Sequence, residues 1–113
     1  VNEPFVIKIE EPEWDISSCD RLGELISPAL DHPNVVIDLS AVEYLDSRSL
    51  AKFVEMRRKR VLKHGYPPAH LVLKTNAGVS RLFSITGFDQ LWPIHGTLEA
   101  ALAATIQERT AGA

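Results

Sequence analysis

The sequence predicts one α/β domain spanning residues 1–113, with a mixed central sheet of about five strands and about four helices in the order β-β-α-β-α-β-α-β-α. Three observations carry this expectation. Short apolar runs alternate with amphipathic stretches along the chain. One of those runs, Val35-Val36-Ile37, is continuously β-branched, as suits a mid-sheet strand covered on both faces. A length of 113 residues builds one core and is too short for two.

Phe5-Val6-Ile7-Lys8-Ile9 reads as the first strand, with Phe5, Ile7 and Ile9 on one face and the segment Glu10-Glu11-Pro12-Glu13 ending it. Trp14-Asp15-Ile16 is a shorter strand candidate. Ser17 or Ser18 then caps a helix whose apolar positions Cys19, Leu22, Leu25, Ile26, Ala29 and Leu30 recur at helical spacing, and Pro28 kinks it or cuts it short. The third strand lies within Asn34 to Leu39. Asp46 is a good cap for a long helix reaching His64, with Leu50, Ala51, Phe53, Val54, Val61 and Leu62 as its apolar stripe. At 100° per residue, Arg48, Lys52, Glu55, Lys59 and Lys63 fall within about 80° of one another and form a polar ridge. Gly65 stops this helix.

After Pro67-Pro68, His70-Leu71-Val72-Leu73-Lys74 reads as a strand, and Val79, Leu82, Phe83 and Thr86 mark a short helix ended by Gly87. The last strand is placed at Leu91-Trp92-Pro93-Ile94. Thr97 caps a final helix with Leu98, Ala101, Leu102 and Thr105 or Ile106 inward, and Arg109 to Ala113 is expected to fray.

Composition narrows the function classes. Twelve basic against 15 acidic residues give a formal net charge of -3, and aromatic residues make up 7% of the chain, so nothing favours a nucleic-acid partner. No apolar run approaches the roughly 20 residues that cross a bilayer, so no direct membrane insertion is expected and the cytoplasm is the default location. Val1 points to a processed or trimmed start. Cys19 is the single cysteine and reads as a small buried hydrophobe, and His32, His64, His70 and His95 lack metal-ligand spacing. Neither a metal nor a cofactor is implied.

Other constellations read as structural. Arg57-Arg58-Lys59-Arg60 wraps around a helix and suits a solvated flank, with Arg57 and Arg58 snorkelling from the apolar edge. Asp38 and Asp46 flank one loop without a third ligand or a histidine, which favours turn-forming and helix-capping roles. Trp14 and Trp92 lie beside strands and suit packing. Asn76-Ala77-Gly78 is too short to cradle a phosphate and suits a turn. No motif assembles a nucleophile, a base and an orienting group, so no enzyme is expected.

The residues at the joints say more. Val36-Ile37-Asp38-Leu39-Ser40-Ala41-Val42-Glu43-Tyr44-Leu45-Asp46-Ser47 and Leu82-Phe83-Ser84-Ile85-Thr86-Gly87-Phe88-Asp89-Gln90-Leu91-Trp92-Pro93-Ile94 are followed by Leu98-Glu99-Ala100-Ala101-Leu102. From Val35 to Leu102 this resembles the STAS family, which includes bacterial anti-sigma factor antagonists and the cytoplasmic tails of sulfate transporters. Glu13-Trp14-Asp15-Ile16-Ser17-Ser18 is a weaker echo. The resemblance implies a signalling protein acting in transcription regulation, an anti-anti-sigma factor that binds an anti-sigma factor of the serine-kinase type. Phosphorylation of a serine at the start of the second helix breaks such complexes in the family.

The decisive motif differs. The family's Asp-Ser-Ser-Gly-Leu or Asp-Ser-Thr-Gly-Leu stands here as Asp46-Ser47-Arg48-Ser49-Leu50, so the usual acceptor position holds an arginine that cannot take a phosphate. Ser47 and Ser49 are the remaining phosphoacceptor candidates. Ser47 in this family normally helps to cap the helix, and Ser49 stands where glycine is usual. A constitutive binder, or one tuned to a different and acidic partner, follows if Asp46, Arg48, Lys52 and Glu55 make the docking face. The other reading of those residues is a solvated helix face. Alternatives to the antagonist are the accessory STAS subunit of a lipid or sulfate transporter and a stressosome-like scaffold subunit. A weak homodimer is a further candidate.

Overall fold

Where β-branched and apolar residues run continuously the chain forms strands, and where they recur every third or fourth residue it forms helices. The computed structural model describes residues 4–74 and 78–112, with side chains as far as Gln107. In chain order the elements are β1 (Phe5–Lys8), β2 (Glu13–Trp14), α1 (Cys19–Ile26), a 3-10 turn (Ser27–Asp31), β3 (Val35–Leu39), β4 (Tyr44–Leu45) and α2 (Ser47–His64). Then come β5 (His70–Leu73), α3 (Gly78–Thr86), a second 3-10 turn (Phe88–Gln90), β6 (Ile94–His95) and α4 (Leu98–Gly112). Helical backbone thus extends over part of the tail expected to fray. The run Asn76-Ala77-Gly78 lies outside the described residues except for Gly78, which opens α3.

The main sheet has the order β1-β3-β5-β6 and is parallel at every pair. The mixed sheet expected from sequence is corrected accordingly. Each connection between neighbouring strands passes through a helix, and such crossovers return the chain in the same direction. The fifth strand expected in that sheet is absent from it: β2 instead pairs with β4, also in parallel, as a separate two-stranded ladder.

Alternation along the strands divides the core. Ile7, Val35, Ile37, Leu39, Leu71 and Leu73 face Leu22 and Ile26 of α1, Leu50, Phe53 and Met56 of α2, and Val79 and Phe83 of α3. Val36 and Val72, on the other face, meet Ala101 of α4, with Leu98 and Leu102 beside it. His70 shares that face, and its Nδ1 lies 3.0 Å from His95 Nε2. Trp14 and Trp92 are buried and Cys19 is a buried free thiol, as their positions suggested. The ring of Phe83 tilts against Trp92 at 5.7 Å.

The helix ends follow their capping chemistry. Pro28 coincides with the change from α1 to the 3-10 turn. Gly65 sits at φ 66° and closes α2, and Gly87 at φ 75° follows α3, both in the left-handed region that glycine enters without a Cβ clash. Thr97 Oγ1 accepts the Ala100 amide hydrogen at 3.1 Å and caps α4.

The basic run on α2 is not a solvated flank at its last member. Arg60 is fully buried. Its guanidinium donates to the carbonyls of Ala29, His32 at 2.6 Å, Pro33 at 2.9 Å and Pro67 at 2.8 Å. These carbonyls lie outside the strands, in the turn after α1 and in the segments before β3 and β5, and the fixed five-donor fork of arginine supplies their hydrogen bonds. Arg57 is likewise anchored, donating from Nε to the Leu91 carbonyl at 2.7 Å. The α2 stripe is corrected too: Leu50 and Phe53 are buried, whereas Ala51 and Leu62 are exposed.

Candidate docking site at the start of α2

The small ladder β2–β4 sets the site. Asp46 N donates to the Trp14 carbonyl at 3.1 Å, which fixes the residue immediately before α2 against β2. Asp46 Oδ1 then accepts the Ser49 amide hydrogen at 2.8 Å, an N-cap that satisfies one of the helix's open donors. The companion expectation holds as well, since Asp38 Oδ1 accepts the Ser40 amide hydrogen at 2.9 Å and shapes the turn after β3. Both aspartates are occupied by local backbone.

Within the motif, accessibility separates the two serines. Ser47 and Arg48 are exposed in the first turn, and Asp46 is half-buried. Ser49 is 0% exposed and its hydroxyl has no hydrogen-bond partner among the described residues. The Ser49 oxygen is thus closed to solvent in this structure, whereas the Ser47 hydroxyl is open to it.

Of the four docking residues inferred from sequence, Asp46 caps α2, while Arg48, Lys52 and Glu55 share one side of the helix in different electrostatic settings. Arg48 makes no ion pair among the described residues. Lys52 Nζ stands 3.2 Å from Asp20 of α1, and the hydrogen bond with Asp20 raises its pKa. Glu55 pairs with Lys59 one turn on at 3.0 Å, and that hydrogen bond lowers its pKa. Lys52, Glu55 and Lys59 make a ridge with a groove on each side. One groove, of about 310 Å³, lies against α1 and is lined by Gly23, Ser27, Leu30 and Met56. The other, of about 770 Å³, runs past Leu50, Ala51, Val54 and Leu62 to Phe88.

Two apolar residues near the first turn were not singled out from sequence. Ile16 is 60% exposed and Tyr44 52% exposed. The Asp46–Trp14 bond brings the end of β2 beside the end of β4, so both flank the start of α2. The available signal was an aliphatic residue two positions after one very short strand and an aromatic residue opening the other. Among the described residues, no group of three or more His, Cys, Asp or Glu side chains is placed to hold a metal ion. No described helix is long and apolar enough to cross a membrane.

This arrangement, a capped helix start presented by a β2–β4 ladder beside a parallel sheet, has known counterparts. A family profile described as "Mlab, STAS domain" matches residues 3–99. The chain belongs to the STAS domain family. An anti-sigma factor antagonist from Mycobacterium paratuberculosis superposes on this STAS domain with a TM-score of 0.76, at 29% identity over 88% of this chain and 83% of that one. An anti-sigma-factor antagonist (STAS) domain protein from Planctomyces limnophilus gives 0.65, at 22% identity over 82% and 80%. A sulfate transporter family protein from Wolinella succinogenes gives 0.68, at 17% identity over 93% and 86%. The latter two likenesses speak to the STAS fold alone. No sequence relative with a curated function matches this STAS domain.

Proposed function

We propose that this STAS domain is a non-enzymatic anti-sigma factor antagonist that docks a kinase-type anti-sigma factor on the first turn of α2. The observation that carries the proposal is the Asp46 cap, which leaves Ser47 and Arg48 exposed while burying Ser49. The likeness to the Mycobacterium paratuberculosis antagonist supports it.

The physics of the site favours a binder with limited switching. An added phosphate on a first-turn serine gains from open backbone amides and the helix dipole, and brings about two negative charges to the docking face. Here Arg48 occupies the family's acceptor position and keeps a positive charge on that face. Ser47 is the one accessible hydroxyl in the motif. Docking is therefore constitutive unless Ser47 takes the phosphate, and the domain works in the cytoplasm where such partners reside.

A second reading rests on the family profile itself and on the Wolinella structure: the domain is an accessory subunit of a lipid or sulfate transporter. One experiment separates the two. The tagged domain is used for affinity capture from native cell extract, with ADP and with ATP, and bound proteins are identified by mass spectrometry. A serine-kinase-like anti-sigma factor on the domain supports the antagonist. A transporter ATPase or permease in its place refutes that reading and supports the second.

A further inference from the structure

The groove on the far side of the α2 ridge begins at Ser47 in the helix's first turn and continues along α2 well beyond it, past Leu62. Its floor is Leu50, Ala51, Val54 and Leu62, and Phe88 from the turn after α3 forms part of its wall. Leu62 is 73% exposed, although leucine is a residue that folding normally covers. From Ala51 to Leu62 the floor extends roughly 16 Å, about three helical turns. Arg58 falls in the same row of α2 between Val54 and Leu62, so the concave lining is apolar at both ends with a cation between them, a form that accepts another helix carrying apolar residues and an acidic group beside them.

The rim gives the charge of the occupant. Glu55, Arg58, Lys59 and Lys63 are the charged residues lining the groove, three cations against one carboxylate. Glu55 is engaged by Lys59. Arg58 and Lys63 make no ion pair among the described residues, and Glu55, the one carboxylate of the lining, is shared between Lys59 and the field of Arg58, so the lining keeps a positive excess. The α2 backbone is committed to its own helix, so the groove offers no strand edge to extend. Recognition must come from side chains, and a helical occupant satisfies its own backbone while presenting apolar residues at i, i+3, i+4 and i+7.

We propose that this groove docks an amphipathic helix of a partner protein, apolar along one face and acidic along the flanks that meet Arg58 and Lys63. This rests on the reading that the domain acts by binding a protein, and it adds a second contact along the helix whose start carries the first.

The test uses the intact domain and two synthetic peptides of about 18 residues, with leucine on one helical face and either glutamate or lysine on the flanks. NMR chemical shifts and titration are read for each. The glutamate peptide should shift amides of Leu50–Lys63 and Thr86–Phe88. Leu62→Glu should weaken it about tenfold, since burial of an exposed leucine would be replaced by a like charge. The double variant R58E/K63E should exchange the preference in favour of the lysine peptide. All three substitutions lie on exposed helix surface and leave the core intact. Equal binding of both peptides, shifts elsewhere on the domain, or a glutamate peptide indifferent to both variants overturns the proposal. Binding of anionic vesicles lost in R58E/K63E, with neither peptide bound, overturns it in favour of a lipid surface. Peptide binding as described, in a domain that captures no kinase-like protein, upholds the groove and refutes the antagonist function alone.

Discussion

Asp46 and Ser49 are joined by a hydrogen bond of 2.8 Å from the Ser49 amide to the Asp46 carboxylate, and that bond both starts α2 and turns Ser49 inward. Within the first turn of α2, the exposed side chains of the motif are thereby Ser47 and Arg48. Replacing Asp46 with alanine removes the cap and should cost about 1 kcal/mol, about 4 °C of melting temperature for a domain of this size. Asp46→Asn should retain most of that stability. Thermal unfolding of the three proteins checks the order.

The Ser49 hydroxyl is buried without a partner among the described residues, which leaves its desolvation uncompensated by them. Ser49→Ala should leave stability unchanged or raise it by up to about 1 kcal/mol, whereas Ser49→Asp should lower it by about 3 kcal/mol or more by burying a charge. Urea denaturation of both variants is the measurement. A stable, folded Ser49→Asp protein would contradict the burial described for this side chain.

Capping and punctuation were the legible part of the sequence. Asp46, Gly65, Pro28, Gly87 and Thr97 each act by local backbone chemistry, and each lies where that chemistry places it. The β-branched run of β3 was equally plain. The ladder β2–β4 was not, since two-residue strands carry no period and form only because Pro12 and Trp14 carbonyls meet Tyr44 and Asp46 amides across the fold. The final strand begins at Ile94, later than the apolar run suggested, with Pro93 supplying a carbonyl but no amide hydrogen. Arg60 was misread because charge predicts solvent unless carbonyls without partners lie opposite, and those come from segments distant in sequence. Leu62 was misread for the converse reason: it belongs to a periodic stripe, but no described element covers it.

Arg60 joins the turn after α1, the segment before β3 and the segment before β5 through its carbonyl contacts. Arg60→Ala should destabilise the domain by about 3–5 kcal/mol, because several carbonyls would be left buried and unpaired. Arg60→Lys should recover only part of the loss, since an ammonium cannot reproduce the planar fork. Denaturant midpoints decide the ranking, and an Arg60→Ala protein of native stability would refute this role.

His95 gives the domain a dependence on pH. Burial chiefly, and then the neighbouring His70, hold its pKa below the ordinary histidine value of 6.5. The unfolded chain therefore takes up a proton at His95 before the folded chain does. Its effect is absent well above 6.5, and stability falls as pH drops through that value until the folded state also protonates, with a slope of at most about 1.4 kcal/mol per pH unit. Urea midpoints at about pH 7.5 and about pH 5.5 should show a fall that is smaller in His95→Gln.

The proposed docking turns on Arg48, the exposed cation in the first turn of α2. Calorimetric titration of the captured anti-sigma factor with the wild-type domain and with Arg48→Glu measures its part directly. A loss of about tenfold or more in affinity, with an unchanged melting temperature, is the predicted result. Equal affinity in the two proteins would contradict docking at this helix start.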